Sequence, residues 1–125
     1  MASITLLGKE FPLEYTVQVM EAVTKRFGGT AEAVEQMESG ENQLQNTIFM
    51  LAEMMKGAEK RERVRCALWN EEYKGNPALD YDTLIGIMNP DDLKTMADAL
   101  MAAINESNLV TTEVVPDAKK NEGTE

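Results

Sequence analysis

The single cysteine, Cys66, is the side chain in this sequence best suited to covalent chemistry. It follows Arg65 and lies near Arg63, and guanidinium groups beside a thiol can lower its pKa and increase its reactivity. A Cys–His enzyme also needs a histidine as base, and the 125-residue chain has none. We therefore expect Cys66 to be a buried small hydrophobic residue.

The acidic residues offer weak patterns for metal binding or acid–base catalysis. Asp80-Tyr81-Asp82 resembles the start of a calcium loop, but Leu84 and Ile85 replace an oxygen ligand and the glycine of the turn. The adjacent pairs Glu71-Glu72 and Asp91-Asp92 do not face each other on a helix. We expect no metal, no cofactor and no enzymatic activity, with these carboxylates solvated or capping helices.

The charge distribution narrows the class of partner. A formal charge of −10 disfavours nucleic acid and anionic lipid, and it favours a protein partner with basic patches. The basic run Lys60–Arg65 alternates with Glu59 and Glu62, so it is more typical of a solvated helix face than of an anion-binding patch. The sequence has no signal-peptide pattern and no apolar run of membrane-spanning length, which predicts a cytoplasmic protein.

Methionine is unusually frequent, with nine residues in the chain. Flexible thioether side chains either fill a core or form a groove that adapts to a partner. The segment Ile48–Met55 is apolar on nearly all faces, which is more apolar surface than a small bundle easily covers, and self-association is one way to cover it. The candidate partner-binding residues are Phe49, Met50, Met54, Met55, Met96 and Met101.

The N-terminal segment combines a strand pair with a helix. Ile4–Leu7 and Glu10–Leu13 predict a hairpin turning at Gly8-Lys9, with Pro12 restricting it to an edge or to packing on helices. Thr16 is a suitable N-cap for a first helix that ends at Gly28-Gly29. Its predicted inner face contains Val19, Met20, Val23 and Phe27.

Three further helical segments precede a long loop. Thr30 is expected to cap a short helix over Ala31–Met37, and the apolar third helix is expected to break or kink at Gly57. The next segment, Glu59–Trp69, is expected to direct Val64, Ala67 and Leu68 inward. Tyr73–Asp80, which contains Gly75, Asn76 and Pro77, predicts a loop.

Two helix starts follow the loop. Asp80 can cap a short helix through Met88, while Asn89, Pro90 and Asp91-Asp92 match the cap and first-turn preferences of a terminal helix. That helix is expected to end near Asn105–Asn108. Its predicted buried face contains Leu93, Met96, Ala97, Leu100, Met101 and Ile104.

The sequence thus predicts a mainly α protein, a small bundle of about five helices with a short N-terminal β-hairpin. A helical domain over 1–108 is followed by a flexible acidic tail over 109–125, expected to be disordered beyond Val115. The length is sufficient for one domain with a core that needs no disulfide or metal.

Three segments together resemble a known family. They are GKEFPLEYT, the helix end KRFGG, and LDYDTLIGIMNPDDLKTMADALMAAINES, within Ile4–Ser107. This arrangement resembles the tail assembly chaperones of long-tailed, siphovirus-type bacteriophages and Gram-positive prophages. The resemblance implies a small acidic helical protein that coats the tape-measure protein in the host cytoplasm, keeps it soluble, helps recruit tail-tube subunits, and is absent from the mature virion.

The same resemblance implies a second, longer product. Family members are often extended by a ribosomal frameshift, and the extension binds the tail-tube protein; here Lys119-Lys120 is a candidate slippage site. Two alternatives remain open at this stage. One is a prophage adaptor or regulator, and the other is an acidic DNA mimic that binds a host or phage regulatory protein. A DNA mimic needs carboxylates in phosphate-like rows, whereas here they are dispersed among bases.

Overall fold

The computed structural model of the protein describes residues 2–114, with side chains from 2 to 107. The elements are β1 (Ser3–Leu6), β2 (Lys9–Pro12), α1 (Val17–Phe27), α2 (Thr30–Glu38), α3 (Gln43–Leu68), α4 (Tyr81–Ile87) and α5 (Asp92–Val114). Within this part of the chain the expected fold class is confirmed: five helices and an antiparallel two-strand hairpin. The predicted disorder beyond Val115 lies outside the described residues.

The hairpin turns one residue earlier than the sequence predicts. Leu6 pairs with Lys9, so the two-residue loop is Leu7-Gly8 rather than Gly8-Lys9. Both loop residues have positive φ, 51° and 80°, because the twist of a two-residue hairpin favours that backbone. Ile4, Leu6 and Phe11 are buried, and β1 lies beside α5 while β2 lies beside α3. The hairpin therefore packs on the helices, as Pro12 indicated.

The first helix begins and ends as predicted. The Thr16 hydroxyl accepts a hydrogen bond from the Val19 N–H at 3.3 Å, and Gly28 adopts a left-handed φ of 100°. Val19 and Val23 are buried, but Met20 is 43% exposed. The assignment of Met20 to the inner face is wrong, because the contacts of α1 with α2 and α3 bury the stripe through Val19 and Val23 and leave Met20 outside it.

The second helix does not use Thr30 as its cap. Thr30 is the first helical residue and Gly29 holds the cap position. The Thr30 hydroxyl instead lies 2.6 Å from the hydroxyl of Tyr15. The threonine thus joins α2 to the segment before α1, where its side chain is unavailable to cap its own helix.

The third helix runs through Gly57 without a break, contrary to the sequence prediction. A Cβ at position 57 would lie 2.7 Å from Cγ2 of Val19, 3.0 Å from Oγ1 of Thr16 and 3.2 Å from the carbonyl oxygen of Glu14. The glycine therefore allows the start of α1 to approach the axis of α3 closely. Tertiary packing stabilises the helix across a residue that locally disfavours it.

The last turns of α3 face opposite to the predicted direction. Val64 and Leu68 are exposed, as is Ala67, whereas Cys66 is buried. The inner stripe runs through Leu51, Met55 and Ala58, and steps of three and four residues carry it to positions 62 and 66. Val64 and Leu68 therefore lie on the outside of the helix.

The predictions for the two C-terminal helices, α4 and α5, are confirmed only in part. Asp80 caps α4 by accepting a hydrogen bond from the Thr83 N–H at 2.8 Å, as predicted. The helix α5 begins at Asp92, two residues after the predicted first helical position at Pro90, and the Asp92 carboxylate accepts a hydrogen bond from the Asn89 N–H at 2.9 Å. The helix continues to Val114, so its predicted end near Asn105–Asn108 is wrong. Ala97 is exposed and Ala99 is buried instead.

The core surrounds the middle of α3, which packs against α1, α2, α4, α5 and β2. Because neighbours approach from several sides, this helix buries nearly its whole circumference. The centre of the core consists of large, fully buried side chains: Ile4, Leu13, Val19, Val23, Met50, Leu51, Met54, Met55, Leu84, Met96 and Leu100.

Candidate interaction surface

The distal part of α3 carries an exposed apolar surface. Val64 is 46% exposed, Leu68 is 70% exposed, and Trp69, the only tryptophan in the chain, is 64% exposed. We call these three residues the apolar end of α3. With 26 residues, α3 is about 39 Å long at 1.5 Å per residue, longer than the helices that pack on its middle. Val64 and Leu68 lie on the opposite side of the helix from the buried Cys66, so the neighbours that cover Cys66 leave them exposed.

Glutamates neutralise most of the basic cluster beside this surface. Arg61 pairs with Glu14 at 2.8 Å, and Arg63 pairs with Glu59 at 2.6 Å. Arg65 pairs with two glutamates, Glu62 at 2.7 Å and Glu71 at 2.9 Å. These contacts support the interpretation of Lys60–Arg65 as a solvated helix face over that of an anion-binding patch.

The loop after α3 is attached to the same region. The Glu59 carboxylate accepts a hydrogen bond from the Ala78 N–H at 2.9 Å, and this bond, together with Arg63, lowers the pKa of Glu59. The Arg63 guanidinium lies 4.1 Å from the ring centre of Tyr73. Burial and the nearby Glu59 raise the pKa of the Tyr73 phenol. The loop thus supports one side of α3 and leaves the opposite side, with Val64 and Leu68, open.

Cys66 lies at the wall of a neighbouring groove. The groove has a volume of about 730 Å³ and is lined by charged side chains, including Glu62, Arg65, Glu71 and Lys74. Cys66 itself is only 4% exposed. Burial, followed by its hydrogen bond to Glu62, raises the pKa of the thiol. The expectation that Cys66 is buried is confirmed, and a raised pKa means that less of the thiol is present as the nucleophilic thiolate.

The methionines predicted to contact a partner lie mostly in the core. Met50 and Met54 are 0% exposed, and Met55 and Met96 are each 2% exposed. Met54 in particular offers no surface to a partner, because helices and the hairpin surround this part of α3. Phe49 and Met101 are half-buried. The partner role of these side chains stays a prediction, and in this conformation only the last two offer surface for it.

The carboxylates singled out in the sequence serve local structure where their contacts are defined. Asp80 caps α4, and the hydrogen bonds from Thr83 lower its pKa. Asp92 binds the backbone at the start of α5. Within the described residues no group of three or more His, Cys, Asp or Glu side chains is arranged to hold a metal ion.

Sequence reasoning missed the apolar end of α3 for an identifiable reason. If the helix breaks at Gly57, the positions of Leu51 and Met55 no longer indicate which side of the following segment faces inward. Its inner face is then predicted from its own apolar residues alone. Extending the helical spacing of Leu51 and Met55 across Gly57 reaches Cys66 and places Val64 outside. The signal was present in the sequence, but it depends on the continuity of α3.

The comparisons leave the family of this chain open. No helix in the described part of the chain combines the length and apolar character needed to cross a membrane. Comparison with protein-family models, characterised proteins and solved structures gave no match.

Proposed function

We propose that the protein is a phage tail assembly chaperone, which binds the tape-measure protein, keeps it soluble and helps to recruit tail-tube subunits. The observation that carries this proposal is the apolar end of α3, with Val64, Leu68 and Trp69 exposed on an acidic helical protein. Exposed tryptophan and aliphatic side chains on one helix end are typical of a protein-binding surface. The resemblance of Ile4–Ser107 to this family supplies the identity of the client.

The physical properties of the surface suit such a client. A tape-measure protein is a long helical chain with apolar stripes, and an apolar stripe can pack against Val64 and Leu68. Each square ångström of apolar area buried contributes about 25 cal/mol before ordering costs are subtracted. The charge of −10 keeps the chaperone, and a complex coated by it, dispersed in the cytoplasm.

Co-expression with the tape-measure protein of the same genome tests the proposal. The wild-type chain should bring the client into the soluble fraction and retain it in a tagged pull-down. Leu68→Asp should reduce the recovered client at least about tenfold, because a carboxylate in an apolar contact costs more than 1.4 kcal/mol. Because Leu68 is 70% exposed, the loss of stability should be limited to the cost of a carboxylate at a helix C-terminus, at most about 1 kcal/mol.

Ile85→Asp provides the matched control. Ile85 is an exposed aliphatic residue on α4, 52% accessible, and its replacement makes the same chemical change away from α3. Client recovery should survive this substitution. Equal losses from Leu68→Asp and Ile85→Asp would contradict a specific role for the apolar end of α3, and an insoluble client with no association would remove the chaperone proposal.

That last outcome would favour the adaptor or DNA-mimic alternatives. The ion pairs of Glu14, Glu59, Glu62 and Glu71 disfavour a DNA mimic, since paired carboxylates do not present free negative charge. The proposed chaperone acts in the host cytoplasm and leaves the finished tail. A frameshifted longer form that contacts the tail-tube protein, and self-association on the client, remain predictions of the same proposal.

A further inference from the structure

Arg26 differs from the other arginines of the chain in its partners. The sequence contains four arginines, and Arg61, Arg63 and Arg65 each form an ion pair with glutamate. Among the described residues no carboxylate pairs with Arg26, although the chain has 22 acidic residues. The neighbouring helix α2 contains Glu32, Glu35 and Glu38. These glutamates are close to Arg26 in sequence, but none of them forms an ion pair with it in the structure.

The Arg26 guanidinium is nevertheless held in place. It lies 4.4 Å from the ring centre of Phe49 and 5.6 Å from that of Phe27, and these rings form an edge-to-face pair 5.9 Å apart. Its Nη2 donates a hydrogen bond to Oδ1 of Asn46 at 3.2 Å. Aromatic stacking and this hydrogen bond fix the orientation of the cation, and its remaining donors have no hydrogen-bond partner among the described residues.

Asn46 provides a second, independent indication of a ligand. It is a polar residue with only 6% exposure, and its side-chain amide N–H groups have no hydrogen-bond partner within the described residues. Buried amide donors without a partner cost free energy that a bound acceptor recovers. Asn46, Arg26 and Gln36 line an open pocket of about 280 Å³ beside Phe27. Donors from three helices therefore converge on one space.

We propose that this pocket binds a carboxylate, supplied by an aspartate or glutamate side chain of the client helix. The guanidinium forms charge-assisted hydrogen bonds to the carboxylate oxygens, and the Asn46 amide donates another. Phe27, which also lines the pocket, receives an apolar neighbour of that acidic residue. The inference rests on the proposed function for the identity of the client, while the carboxylate chemistry rests on this pocket alone.

Acetate tests the chemistry without the client. Full-length, isotope-labelled protein is titrated with sodium acetate against sodium chloride at equal ionic strength, and the Arg26 Nε–H and Asn46 amide resonances are followed by NMR. Both should shift and saturate with acetate, while Arg63, whose guanidinium already pairs with Glu59, should shift at least about fivefold less. Unmoved Arg26 and Asn46 resonances, or equal shifts at Arg63, would overturn the carboxylate site.

Client capture tests the source of the carboxylate. Arg26→Gln should lower the recovered tape-measure protein at least about tenfold, as expected for a lost hydrogen-bonded charge pair. Lys25→Gln removes the same charge from the neighbouring exposed position and should change recovery less than about twofold. Unchanged capture by Arg26→Gln would overturn the inference while leaving the chaperone proposal intact.

Two further results separate the remaining explanations. If the wild-type chain captures no client, the proposed function fails, and the acetate titration alone decides whether the pocket binds carboxylates. Neutralising the three acidic side chains after Val115, with Asp117→Asn, Glu122→Gln and Glu125→Gln together, should leave acetate affinity unchanged. Stronger acetate binding in that variant would identify the chain's own tail as the occupant and overturn the assignment to the client.

Discussion

Replacing Gly57 in α3 and Gly86 in α4 by alanine should have opposite effects on stability. By sequence both residues are glycines inside helical segments, where alanine is the better helix former. At position 86 an added Cβ meets no atom within 4 Å, whereas at position 57 it meets Val19, Thr16 and Glu14. The comparison isolates tertiary packing from helix propensity.

The magnitudes follow from these contacts. Gly86→Ala should raise the free energy of unfolding by about 0.5–1 kcal/mol, the usual gain from replacing glycine in a helix. Gly57→Ala has the same propensity gain, but a separation of 2.7 Å from Cγ2 of Val19 forces a shift in a stiff, buried side chain. Overpacking of this kind costs about 1–3 kcal/mol, so we expect a net loss of about 1 kcal/mol.

Thermal and urea unfolding followed by circular dichroism measure both effects. The two variants should differ by about 2 kcal/mol, and each 1 kcal/mol should move Tm by roughly 3–6 °C for a chain of this size. Val19→Ala removes the clashing methyl, so the double variant Gly57→Ala/Val19→Ala should be more stable than the sum of the single changes predicts. Equal stabilisation by Gly57→Ala and Gly86→Ala would refute the close packing of α1 on α3.

Three further predictions concern the core, a helix cap and the thiol. Met54→Glu should destabilise the fold by several kcal/mol, because it places a carboxylate at a fully buried position. The control Met20→Glu, at a 43% exposed position, should leave the melting curve nearly unchanged. A stably folded Met54→Glu protein would contradict the assignment of Met54 to the core. Hydrogen bonds from Thr83 lower the pKa of Asp80. Its contribution to stability should therefore be complete above its ordinary pKa near 3.8 and be lost as the pH falls through the lower pKa of the folded state. Asp80→Asn should flatten this acid limb of a stability–pH curve, and an unchanged limb would refute the assignment. Cys66, buried with a raised pKa, should react with a thiol reagent at pH 8 much more slowly in the native protein than in denaturant, and equal rates would show that the thiol is accessible.

Local signals predicted much of the fold. The cap at Thr16, the left-handed stop at Gly28 and the cap at Asp80 each depend on a residue and its immediate neighbours, and each is confirmed. The fold class, five helices after a hairpin, followed from the same signals and from helical periodicity. Such features need only a few consecutive residues, so the sequence contains the information directly.

Other features depended on contacts between distant segments. The turn at Leu7-Gly8 was displaced because strand register, rather than the identity of one glycine, positions a hairpin loop. The continuity of α3 across Gly57 depends on α1 packing against it, and the exposure of Val64 and Leu68 depends in turn on that continuity. A local pattern cannot report which neighbour will stabilise a weak helix residue.

The properties of the candidate sites can likewise be separated into those that the sequence determined and those that depend on tertiary packing. The sequence alone determined a small acidic helical protein, without histidine and with one cysteine, which pointed to protein binding rather than catalysis. Only the tertiary structure decided that Met50 and Met54 belong to the core and that Arg26 lies beside Asn46, with no carboxylate paired to it among the described residues. Composition and periodicity specify which side chains are present and on which helical stripe, whereas burial and pairing depend on the elements that pack around each stripe.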